Sequence, residues 1–306
     1  MNKDRRNFLG GLAATPLALS LPGATSAKAA TPAAKQRVAR VQYSVNAYTF
    51  NDALRSGEMT LFDMMRFAAD VGLDAVDLTG YYFKSYPDAP GNEELFDLKR
   101  YALELGLDIS WTGIRTDFVT TDEAAHAQHI EMTKQWMIAS SKLGAPIIRL
   151  FTGRLPVSGS ERQQAYERLV ASFKQCAAFG AETGVIAGLQ NHHEFLFTAE
   201  QVLDMLKRVD SPWFHLILDI ANFQSSDPYR EVAMCAPHAK YWLLKDSVKP
   251  KGKLVPTDYK KIARIVQSSG YRGYLSLEPL LKGDAKTKVA NMFDAFRVAY
   301  DEVSLT

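Results

Sequence analysis

Five short phrases in this 306-residue chain carry the groups that could do chemistry: Ile147-Ile148-Arg149-Leu150, Gln190-Asn191-His192-His193-Glu194, Asp219-Ile220-Ala221-Asn222, Lys245-Asp246, and Leu275-Ser276-Leu277-Glu278. Asp219 follows the apolar run Leu216-Ile217-Leu218, and Glu278 closes a similar one. An ionised carboxylate at the end of a buried strand is costly unless a cation or hydrogen bonds pair it. Two such carboxylates point to a shared cation. A hard divalent ion takes oxygen ligands and admits an imidazole. Gln190, Asp219, Glu278 and His192 supply that mixture, with Mn²⁺ or Mg²⁺ the expected cofactor. Residues two apart share a strand face, so Gln190 and His192 should point together while Asn191 and His193 turn aside. Lys245 and Arg149 add cationic groups on two further strands. The structural alternatives are a Lys245–Asp246 salt bridge and an ion pair from Arg149 to an inward carboxylate. Asn46, Tyr48 and Asn222, at the ends of other strands, are expected to touch substrate.

These groups need elements that bring them to one place. Runs of β-branched and apolar residues predict strands over 41–48, 75–78, 108–112, 146–151, 185–190, 215–219, 240–244 and 274–278. The intervening stretches predict helices over 61–69, 94–105, 124–143, 161–182, 199–208, 259–268 and 287–302. Several end on a Gly placed as a left-handed C-cap, as at Gly72, Gly106 and Gly144. Alternating strands and helices imply parallel pairing by right-handed crossovers, and eight units close a (β/α)₈ barrel, an α/β fold, as a single domain. An open doubly wound sheet is the alternative, but no G-x-G-x-x-G follows the first strand. In such a barrel the chemistry lies where strands end, where all five phrases fall.

With 47% hydrophobic and 23% charged residues the chain reads as one globular enzyme, and its net charge of +2, spread along the sequence, offers no footprint for nucleic acid. Cys176 and Cys235 are read as buried free thiols rather than a disulfide. His126 and His129 are placed on a solvent-facing helix, and His215 and His238 away from the strand ends. The first thirty residues differ from the rest: Arg5-Arg6-Asn7-Phe8-Leu9, a short apolar run with Gly and Pro, then Ala27-Lys28-Ala29. This resembles a twin-arginine export signal over residues 1–29, followed by a linker over 30–37 and the barrel over 38–306. The apolar run is too short for a membrane anchor, which needs about 20 residues. A periplasmic address is expected.

The phrases Gln190-Asn191-His192, Leu218-Asp219-Ile220-Ala221-Asn222, Leu244-Lys245-Asp246 and Gly270-Tyr271-Arg272-Gly273-Tyr274-Leu275-Ser276-Leu277-Glu278 resemble those of the xylose isomerase-like barrel family over about 41–298. That resemblance implies a metal-dependent sugar isomerase or epimerase that removes a proton beside a carbonyl. Two positions depart from it. The family's strand-five Glu is Gln190 here, which cannot act as a base, and its strand-seven His is Leu243, which binds no metal. A scheme with one base on each face of the substrate is weakened. What the resemblance then leaves is Glu278 with His192 as acid and base, and Lys245 or Arg149 to polarise a carbonyl or hold an oxyanion, a set that suits isomerisation, or β-elimination from a keto-sugar or keto-glycoside by a lyase or hydrolase. A sugar-binding barrel without catalysis is the reading from another class. The expected partner is a small carbohydrate or polyol, with a homo-oligomer allowed and neither nucleic acid nor a stable membrane anchor.

Overall fold

The computed structural model describes residues 40–154 and 159–304. The expected export signal and linker lie outside the described residues. Eight strands form a closed parallel barrel: β1 (Gln42–Asn46), β2 (Ala75–Thr79), β3 (Asp108–Gly113), β4 (Ile147–Leu150), β5 (Ile186–Gln190), β6 (Phe214–Asp219), β7 (Ala239–Leu244) and, after a short antiparallel ribbon of β8 (Ser247–Val248) and β9 (Val255–Pro256), β10 (Tyr274–Leu277). Closure is made by β1, which pairs with β2 on one side and β10 on the other. The open doubly wound sheet is thereby excluded. Among the described residues no helix is long and apolar enough to cross a membrane.

The helices are α1 (Asn51–Ser56), α2 (Leu61–Val71), α3 (Asn92–Leu105), α4 (Glu123–Leu143), α5 (Gly159–Thr183), α6 (Ala199–Val209), α7 (Pro228–Cys235), α8 (Tyr259–Ser268) and α9 (Ala285–Ser304). Local signals fix their ends. Thr60 and Asp63 form a reciprocal capping box on α2, and α2, α3 and α4 each stop on a left-handed Gly. Helices α1 and α7 lie outside the sequence expectation because six and eight residues are too few to show a 3.6-residue period. Asp227 capping α7 ahead of Pro228 was the usable signal. Strand β1 is shorter than expected because the Asn46 side chain accepts the Tyr48 amide at 2.8 Å and turns the chain into a 3₁₀ turn.

Alternation gives the barrel two interiors. Outward residues such as Val45, Val76, Leu216 and Leu218 pack under the helices. Inward, Trp111, Ile147, Ile217, Tyr241 and Leu243 form a separate apolar plug. Beside that plug sits a fully buried carboxylate, Asp77, bonded by Ser44 (3.2 Å), Ser110 (2.5 Å), Tyr241 (2.6 Å) and Ser276. Leu243 is one of the plug residues, so the position where the family resemblance expects a histidine is hydrophobic filling. Cys176 and Cys235 are free and buried, and burial pushes both thiols up to about 12. The expectation for His126 and His129 is corrected: both are half-buried, and His126 bonds the Ser172 hydroxyl of α5 at 2.7 Å because α4 turns that side toward its neighbour.

Candidate active site

Above the plug, the C-terminal ends of the strands open into a cleft of about 710 Å³. Lys245, the residue after β7, reaches its ammonium between two carboxylates: Asp219 Oδ2 lies 3.3 Å away and Glu278 Oε1 is in direct contact. All three side chains are buried. Burial would lower the Lys245 pKa, but the charges of Asp219 and Glu278 outweigh it and hold the group above its ordinary value. It is therefore an ammonium at neutral pH.

The carboxylate oxygens of the pair also face N–H donors. Gln190 Nε2 donates to Asp219 Oδ2 at 2.9 Å, the Ala221 amide to Asp219 Oδ1 at 2.9 Å, and Asn46 Nδ2 to Glu278 Oε2 at 2.9 Å. Asn191 fixes the end of β6 by accepting the Asp219 amide at 2.7 Å and donating to its carbonyl at 2.9 Å. The aside-turned residue is thus a splint between strands.

The structure brings Gln190, Asp219 and Glu278 together but leaves His192 outside that group. The His192 Nδ1 lies 3.3 Å from Glu194 Oε1, and its ring meets Phe151 edge-on at 4.5 Å. Among the described residues no three His, Cys, Asp or Glu side chains gather in a set able to hold a metal. A divalent ion needs lone pairs converging on one point. Here Gln190 turns its NH₂ toward Asp219 and gives its carbonyl to Arg149 Nη1 at 3.5 Å, while Lys245 stands between the carboxylates. As arranged, these residues do not fit a divalent metal.

Tyr48, Arg149, His192, Asn222, Lys245 and Glu278 all line the cleft, as do Gln190 and Asp219. Asn46 does not: it is fully buried and donates to Glu278. Lys245 makes no pair with Asp246, whose carboxylate instead accepts the amides of Leu280 (3.1 Å) and Leu281 (3.0 Å) in the loop after β10. Arg149 finds no carboxylate among the described residues and rests on ring faces, with Phe151 at 4.1 Å.

Sequence reasoning missed a second cluster. Arg115, Arg154 and His192 surround Glu194, whose side chain is 5% exposed. Burial acts to raise the Glu194 carboxyl, but the bonds from His192 and Arg154 and the Arg115 charge prevail and lower it to about 2. Arg115 and Arg154 lie in loops whose approach to Glu194 only the closed barrel creates; the adjacent His192 was the one local signal.

A model of the xylose isomerase-like TIM barrel matches residues 65–296. The chain belongs to that family. Sequence comparison with curated proteins gives no match. Solved structures of similar fold include the D-psicose 3-epimerase of Clostridium cellulolyticum H10 (TM-score 0.71, 14% identity, covering 85% of this chain and 99% of that one). An L-ribulose 3-epimerase (0.68, 17%, 87% and 97%) and the E. coli 3-keto-D-glucoside 4-epimerase (0.67, 12%, 85% and 99%) are also similar. Identities this low establish the shared fold alone.

Proposed function

We propose that this family member is an isomerase or epimerase-type enzyme that moves a proton beside the carbonyl of a sugar, with the Lys245 ammonium supplying the positive charge. The observation that carries this reading is Lys245 bridging Asp219 and Glu278 on the wall of the cleft. An ammonium has three N–H donors. Two are committed to the carboxylates, which leaves one for a substrate carbonyl oxygen.

Glu278, oriented by Asn46, is the base. It takes the proton from the carbon next to the carbonyl; the C–H electrons form the C=C bond, and the carbonyl π electrons move to the oxygen, giving an enediolate held by the Lys245 ammonium. Return of the proton from Glu278 to the former carbonyl carbon, while the hydroxyl proton on the first carbon passes to the enediolate oxygen, completes isomerisation; return to the first carbon from the other face requires a second acid, for which His192 is the cleft-lining candidate. Asp219, held by three N–H donors from Lys245, Gln190 and the Ala221 amide where Glu278 has two, stays a counter-ion. Gln190 leaves a single carboxylate base, which suits isomerisation, and β-elimination follows from the same first step when the substrate carries a leaving group. The similar folds of sugar epimerases support a carbohydrate substrate. The twin-arginine pattern supports a periplasmic site of action, where an unphosphorylated sugar is the expected form.

The test is solvent exchange. Ketoses and 3-keto-glycosides incubated with the protein in D₂O should gain deuterium beside the carbonyl, followed by NMR, at a rate unchanged by prior chelator treatment. Glu278→Gln should reduce that rate by about 10³-fold. Exchange that vanishes on chelation would return the charge to a metal, elimination without exchange into the parent sugar would make the protein a lyase, and tight sugar binding with no exchange would leave a binding protein.

A further inference from the structure

Among the described residues six cationic side chains line the cleft: Arg55, Arg115, Arg149, Arg154, Lys245 and Lys249. Lys245 is balanced by Asp219 and Glu278, and Arg115 and Arg154 share the single carboxylate of Glu194. Arg149 is different. Its side chain comes from an inward position of β4, it is only 5% exposed, and among the described residues it makes no ion pair. Its polar contacts are neutral, the Tyr81 hydroxyl and the Gln190 carbonyl at 3.5 Å, and its buried Nε has no hydrogen-bond acceptor. Three ring faces, of Phe151 (4.1 Å), Trp111 (5.2 Å) and Tyr81 (5.3 Å), surround the guanidinium.

A buried cation without an anion is strongly unfavourable. Ring faces attract it but carry no net charge to neutralise it. The fold nevertheless makes room for it: a Cβ at Gly113 on β3 would stand 3.0 Å from Arg149 Nε and 2.9 Å from the Trp111 ring. Arg115 packs on the same Phe151 ring at 5.4 Å, so a second guanidinium lines this part of the cleft. A fork of parallel N–H donors matches a planar oxyanion.

We infer that the cleft contains an anion subsite centred on Arg149, and that the substrate is a sugar bearing an oxyanion, a carboxylate in the first instance. This rests on the reading above for the cleft being where substrate binds. The substrate's own charge then neutralises Arg149, and its docking sets which carbonyl faces Lys245 and Glu278. Sugar acids, such as uronates and keto-aldonates, carry that group at the chain end.

The test is calorimetric binding at low salt with D-galacturonate and D-gluconate as carboxylate probes, a hexose phosphate, and D-fructose as the neutral probe. Binding is measured on the wild type and on Glu278→Gln, so that the outcome does not depend on turnover. The sugar acids should bind at least about tenfold more tightly than fructose, and Arg149→Met should remove that preference while changing fructose affinity less than about twofold. Arg149→Lys, which keeps the charge without the fork and guards against a folding defect, should fall between them. Tighter binding of the hexose phosphate would support the subsite and make phosphate the oxyanion. Equal affinity for fructose and the acids, equal weakening of both in Arg149→Met, or no binding of any anionic probe would overturn it. Proton exchange confined to neutral ketoses would overturn it while leaving the proton-transfer reading intact; anion binding without exchange would do the reverse.

Discussion

Lys245 makes the strongest demand on its neighbours. Removing one partner of a buried charge set leaves the others uncompensated, at a cost of about 3–5 kcal/mol. Lys245→Ala would place Asp219 and Glu278 in a dry site with only Gln190, Ala221 and Asn46 as donors. That variant should lose about that much unfolding free energy in a urea titration, and millimolar Mn²⁺ should raise its melting temperature while leaving the wild type unmoved. A wild type stabilised by Mn²⁺ as strongly as the variant would contradict Lys245 as the resident cation. The spacing of Gln190, Asp219, Lys245 and Glu278 placed all four near one another in the sequence reading. It could not say which way the Gln190 amide points, because that depends on Arg149, forty-one residues away in the chain.

Elements bring these side chains to one point only if helices can pack close to strands. In α5, Gly180 faces the chain entering β5, and a Cβ there would lie 2.4 Å from the Val185 carbonyl oxygen. The obstacle is backbone, so relief requires α5 to shift relative to the strand that carries Gln190. Gly180→Ala should therefore destabilise the fold by about 1–3 kcal/mol despite the better helix propensity of Ala, read as a lowered urea midpoint. An unchanged or raised midpoint would show that α5 has slack. Periodicity located α5 and its neighbours because a helix of 25 residues repeats its apolar face many times. The same logic failed for α1 and α7, which complete barely two turns each.

Across the whole molecule, the closed barrel buries the Asp77 carboxylate, which makes no ion pair among the described residues. Burial raises Asp77 to about 6, against the opposing bonds from Ser110, Ser276 and Tyr241. Its folded pKa lies above its unfolded one, so the stability it contributes is fully present below the ordinary carboxylate range and is lost as pH rises through about 6. Asp77→Asn should flatten the fall in stability between about pH 4 and pH 6, and near pH 7 should equal or exceed the wild type by up to roughly 2 kcal/mol. Thermal melts across that range provide the check; an unaltered slope would mean that Asp77 is ionised throughout.

By itself the sequence determined the eightfold alternation, the strand ends on which polar residues fall, and the two substitutions, Gln190 and Leu243, that separate this chain from the metal pattern it resembles. Those features are local, written in periods of two and 3.6 residues and in residue type. The tertiary structure decided the rest: Lys245 standing between carboxylates from β6 and the end of β10, His192 turning to Glu194, Arg149 left without an anion, and Asp77 enclosed by serines from three other strands. Each depends on strands that become neighbours only when the barrel closes, so ionic partners far apart in the chain are chosen by geometry that no local pattern encodes.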